Sequence, residues 1–85
     1  MKKAVFVFRN KTEVFRLIDE LNAYGVRAGT TGTPKEAKIG CGIAVETELS
    51  KLMLAKRIIS NGNYQGYYGA FTIERVGGRT ITERA

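Results

Sequence analysis

Eighty-five residues with 14 Lys and Arg against 8 Asp and Glu make a small chain of formal charge +6. A chain of this size buries only about 60% of the surface its unfolded form exposes, which argues against a deep private active site and for function on a surface or in a site completed by a partner. With no His, no Trp and a single Cys, imidazole metal sites, Ser-His catalysis and internal disulfides drop out, and chemistry is left to a thiol, carboxylates and cations.

Only Met1-Lys2-Lys3 stands before the first apolar run. That run, Ala4 to Phe8, is too short for a signal peptide or a membrane span, so the chain reads as cytoplasmic with no membrane role. Ala4-Val5-Phe6-Val7-Phe8 is β-branched and aromatic, and apolar at every position, which predicts a central strand buried on both faces. Asn10 with Glu13 three positions on forms an N-cap signature, and Val14, Leu17, Ile18 and Leu21 follow at helical spacing before Gly25; a helix is expected over residues 11–24. Residues 26–31 can form a second strand weakened by Gly29, and a polar loop is expected from Pro34 to Gly40.

Strand character returns over residues 41–46, and Thr47 is the expected N-cap of a second helix whose stripe is Leu49, Leu52, Met53, Ala55, Ile58 and Ile59. Tyr64 to Val76 reads as an aromatic strand bent at Gly66 and Gly69. On a regular alternation Tyr67, Phe71 and Ile73 share one face and Tyr68 and Ala70 the other, one set packing on helices and the other meeting a partner or solvent. Gly77-Gly78 between two strand-like runs predicts a hairpin. The order strand, helix, strand, strand, helix, strand implies an α+β class: a ferredoxin-like βαββαβ sandwich, an antiparallel sheet with two helices on one face, plus a C-terminal β-hairpin strand. One domain over residues 1–85 is expected, with a core at 4–76 and a hairpin arm at 77–85.

The stretch Gly32-Thr33-Pro34-Lys35-Glu36-Ala37-Lys38-Ile39-Gly40-Cys41-Gly42 breaks local rules most visibly. Glycine on both sides of Cys41 leaves its sulfur unscreened, and Lys35 and Lys38 are candidates to favour its thiolate. The residues alone leave two readings of Cys41 open: an accessible nucleophile, or a small apolar residue opening a core strand. Pro34, Lys35, Lys38, Gly40 and Gly42 are the candidate binding loop around it. No residue is assigned a catalytic role, and neither a metal nor a cofactor is expected.

The strand ending Val7-Phe8-Arg9, the run Gly25-Val26-Arg27, and Thr33-Pro34-Lys35-Glu36 followed by Gly40-Cys41-Gly42-Ile43-Ala44-Val45 together resemble the selenium/sulfur carrier protein-like family. The similarity spans roughly residues 4 to 73. The resemblance implies a carrier, not an enzyme, in which Cys41 holds selenium or sulfur as a persulfide-type adduct and passes it between donor and acceptor proteins, with Pro34 and Gly42 shaping the loop. The family commonly has Arg after that proline; Lys35 stands there in this chain and supplies a point charge instead of a bidentate fork. The alternative is a nucleic-acid or protein interaction module using the basic surface and the sheet aromatics. Those aromatics fall on the fourth strand, not the third, which counts against an RNA platform. A homodimer through the sheet face or the terminal hairpin is also expected.

Overall fold

The computed structural model describes residues 2–37 and 42–85. Five strands and two helices follow one another as β1 (Lys2–Phe8), α1 (Lys11–Ala23), β2 (Ala28–Gly32), β3 (Ile43–Glu48), α2 (Leu52–Asn61), β4 (Tyr67–Val76) and β5 (Arg79–Arg84). Short 3-10 turns at Lys35–Ala37 and Leu49–Lys51 precede β3 and α2. The class is α+β, and every pairing in the sheet is antiparallel, in the order β2-β3-β1-β4-β5. The sheet is therefore one strand wider than a four-stranded sandwich, with β5 outside β4.

Strand β1 lies at the centre, and Ala4, Val5, Phe6, Val7 and Phe8 are all fully buried. Alternation sends Ala4, Phe6 and Phe8 to one side, where they meet Val14, Leu17 and Leu21 of α1 and Ala55, Ile58 and Ile59 of α2. Burying each large side chain here contributes about 2 kcal/mol. The other side holds a second, smaller core of Val5, Val7, Ala37, Ala44 and Phe71, with Tyr68 and Ile73 packed against it. Ala37, from the turn after Pro34, folds over the sheet face opposite the helices. That face is therefore interior at its centre, where the sequence suggested a surface left to a partner or solvent.

Helix α1 is fixed at both ends by local chemistry. Asn10 Oδ1 accepts from Glu13 N at 2.9 Å, the expected N-cap bond, and Glu13 Oε1 accepts from the Asn10 side-chain Nδ2 at 3.2 Å. At the other end Gly25 N donates to Asn22 O and Val26 N to Leu21 O, each at 2.9 Å, with Gly25 at φ +77°. This paired closure places Val26 against Leu21 in the core and turns the chain into β2.

Two expectations need correction. Thr47 caps no helix: it lies inside β3, 3% exposed, and its Oγ1 donates to Arg27 O at 2.6 Å. Glu48 stands at the cap position of the following turn without a side-chain hydrogen bond. The aromatic alternation is also shifted, because Val7 pairs with Gly69 while Phe8 pairs with Tyr67, leaving Tyr68 as an extra residue in β4. This bulge turns Tyr67 toward the helices with Ala70 and puts Tyr68 on the opposite side with Phe71 and Ile73. The Gly77-Gly78 turn is as expected, with both glycines at positive φ, +55° and +79°, the handedness a two-residue hairpin demands.

Candidate functional site

The candidate loop enters from β2 and leaves into β3. Pro34 is half-buried and Lys35 and Glu36 are exposed in the turn before β3, while Ala37 is sealed against Val5, Val7, Ala44 and Phe71. Ala37 N donates to Pro34 O at 3.1 Å, which closes the turn. On the far side Gly42 is exposed with φ +91°, a backbone region that L side chains rarely adopt. Thr33 N donates to Gly42 O at 3.4 Å, so the two ends of the loop meet. Lys38, Gly40 and Cys41 lie outside the described residues. Of the expected binding loop, Pro34, Lys35 and Gly42 are thus brought to one neck.

Thr33 stands at this neck too, and its Oγ1 is buried with no hydrogen-bond partner among the described residues. Beside it runs an open groove of about 370 Å³, lined by Pro34, Lys35, Glu36, Ile73, Thr80 and Thr82. One wall is the loop and the other is the β4-β5 hairpin. No sequence spacing announces Thr80 or Thr82 as neighbours of Pro34, since they arrive through long-range strand pairing. Ile73 pairs with Thr82 in the β4-β5 ladder, and that register delivers them.

The aromatics of the sheet and Tyr64 are engaged within the fold, whereas Phe15 and Tyr24 of the α1 region are exposed. Arg84 lies over the Tyr68 and Phe71 rings, 5.3 and 5.4 Å from their centroids. On the helix side Phe8 sits 5.5 Å from Tyr64 and 5.6 Å from Tyr67, ring to ring. The Tyr64 hydroxyl donates to Glu20 Oε1, and Arg16 stacks 4.1 Å from the Tyr64 ring while donating to Gly62 O. Burial, then the hydrogen bond to Glu20, holds the Tyr64 phenol well above the usual tyrosine range. Arg16 thus joins α1 to the end of α2. Among the described residues no three His, Cys, Asp or Glu side chains gather as a metal site, and no helix is long and apolar enough to cross a membrane.

The class that the fold and the described site define is a small α+β domain with a groove between a loop and a hairpin. The chain belongs to the family described as "Putative Se/S carrier protein-like", whose model matches residues 3–68. No curated protein and no solved structure shows a significant match.

Proposed function

We propose that this chain is a sulfur or selenium carrier whose load is held on the Cys41 thiol. The observation that carries the reading is the family match over residues 3–68, which takes in the Thr33-Pro34-Lys35-Glu36 and Gly40-Cys41-Gly42 stretches around the chain's one thiol. The neck between Thr33 and Gly42 supports it, since a carrier loop needs a fixed base, and in this reading the exposed Lys35 is the cation that would favour anionic sulfur. Within this reading the two strand-helix-strand units form a ferredoxin-like sandwich with β5 added outside β4.

Loading needs no general base. The Cys41 thiolate attacks the outer sulfur of a donor persulfide; the bond to that sulfur forms as the donor's sulfur-sulfur bond breaks, and the donor leaves as a thiolate that takes a proton from water. Cys41 keeps the outer sulfur as a persulfide, with no net oxidation. A selenium atom in the outer position follows the same path. With no second cysteine in the chain, an internal disulfide cannot discharge the load, so delivery must go to an acceptor outside it. The role is that of a carrier and not of a self-sufficient enzyme. Engagement of Tyr68 and Phe71 by Arg84 leaves those rings poorly placed as a free stacking platform and weighs against the RNA alternative.

The test is intact mass after incubation with a low-molecular-weight persulfide donor under anaerobic conditions. One added sulfur that reductant removes, and that Cys41→Ser abolishes, is the expected result. A chain that gains nothing, or an adduct that survives Cys41→Ser, defeats the proposal.

A further inference from the structure

The outer edge of β5 has no strand paired to it among the described residues. Natural edge strands are blunted by charged side chains, proline, bulges or extreme shortness; β5 has only the first of these, in Arg79, Glu83 and Arg84, and those charges are of both signs. β5 pairs with β4 in unbroken register from Arg79 to Arg84, contains no proline, and exposes Ile81 at 43%. The opposite edge, β2, is five residues long and has glycine at positions 29 and 32, which makes it the poorer template.

Hydrogen-bond parity fixes what β5 can offer. Ala85 N donates to Ala70 O at 2.9 Å, and the register pairs Phe71 with Arg84 and Glu74 with Ile81. Odd-numbered residues therefore spend their backbone groups on β4, and Thr80, Thr82 and Arg84 direct theirs outward. We infer that β5 pairs antiparallel with β5 of a second copy of this chain, about a twofold axis at Ile81, to make one continuous sheet across the dimer.

The sequence of the strand selects that register. With the axis at Ile81, Ile81 meets its own copy, Arg79 meets Glu83 twice, and Thr80 meets Thr82 twice. Thr80 and Thr82 are the outward-directed residues, so they supply the ladder bonds. Ile81 falls at a non-hydrogen-bonded position, where side chains approach most closely. Placing the axis at Thr82 sets Ile81 against Glu83, and placing it at Thr80 sets Ile81 against Arg79. An axis between residues, which would oppose Arg79 to Arg84, is forbidden because it pairs outward-directed with inward-directed backbone. Neither Arg79 nor Glu83 has an ion-pair partner among the described residues; the ion pair formed there is Arg16 with Glu20. Opposite charges are thus free to be satisfied across the axis.

The pairing is independent of the carrier reading but bears on the same surface. Thr80 and Thr82 line the groove beside Pro34 and Lys35, so the second copy would add its Thr82 and Thr80 directly alongside. The axis is perpendicular to the sheet, so both grooves open on the same side.

Sedimentation equilibrium of the full chain in reductant, over a wide concentration range, tests this. The expected result is a monomer-dimer equilibrium. Arg79→Glu turns two attractive pairs repulsive and should weaken the dimer about tenfold, whereas Arg79→Glu combined with Glu83→Arg should restore it. Thr82→Pro removes an outward N–H that β4 does not use and should give a monomer; if that variant fails to fold by circular dichroism, the charge-exchange pair still decides. A chain that stays monomeric at every concentration, or a dimer indifferent to both charge variants, overturns the inference.

Discussion

Gly66 is the point where three elements are tied together, and replacing it with alanine should loosen all of them. Its carbonyl accepts from Arg9 N at 2.8 Å, just beyond β1, and its N–H donates to Glu13 Oε1 at 2.7 Å, in the first turn of α1. The same Glu13 oxygen accepts from Asn10 Nδ2. A methyl group at position 66 would stand 2.8 Å from Asn10 Nδ2 and closer still to Glu13 Oε1. Glu13 would have to swing away, abandoning a charge-assisted hydrogen bond to a buried amide, a loss of about 1.5–3 kcal/mol. We expect Gly66→Ala to cost about 2 kcal/mol in urea unfolding followed by circular dichroism, and to lower Tm by about 10 °C. In a Glu13→Ala background the nearer obstacle is gone and only the end of the flexible Asn10 side chain has to yield, so the same substitution should cost less than about 1 kcal/mol. Equal costs in the two backgrounds, or a neutral Gly66→Ala, would refute the clamp.

Phe71 tests the second core. It is 2% exposed on the side of the sheet away from the helices, so Phe71→Ala should destabilise by about 3 kcal/mol in urea; a cost below about 1 kcal/mol would mean that water already reaches this face. Tyr64 predicts a pH dependence. Its phenol ionises at higher pH in the folded chain than in the unfolded one, through burial and the Glu20 hydrogen bond. The stability from this difference is intact below about pH 10 and falls as the pH rises beyond it. Urea midpoints measured between about pH 9 and 11 should therefore fall more steeply for the parent chain than for Tyr64→Phe, and parallel declines would remove Tyr64 as the cause.

Local signals carried much of the architecture. The all-apolar run Ala4 to Phe8 announced a strand buried on both faces, and Asn10, Glu13 and Gly25 marked the ends of α1 because capping needs only residues a few positions apart. Thr47 misled for the same reason: a threonine before a helical stripe suits a cap, but its hydroxyl is used by Arg27, twenty residues away in sequence, across the β2-β3 pair. The faces of Tyr67 and Tyr68 depended on a bulge whose position is set against Val7 and Phe8, not by the aromatics themselves. The covered second face was illegible because a single alanine in a polar turn gives no hint that it is buried. Pro34, Lys35 and Gly42 were readable as a loop, whereas the hairpin wall at Thr80 and Thr82 exists only through strand register.

Burial of β1 from both directions has a consequence for how this molecule can change. Val5 and Val7 support the layer beneath the loop, and their neighbours Phe6 and Phe8 support the helices. A substitution that shifts this strand by a fraction of an ångström is transmitted to opposite surfaces at once, because tightly packed interiors pass strain on instead of absorbing it. Adaptation of the groove is therefore easiest from its rim, at positions such as Glu36 or Thr80, where a new side chain can alter what docks without disturbing the helical layer behind.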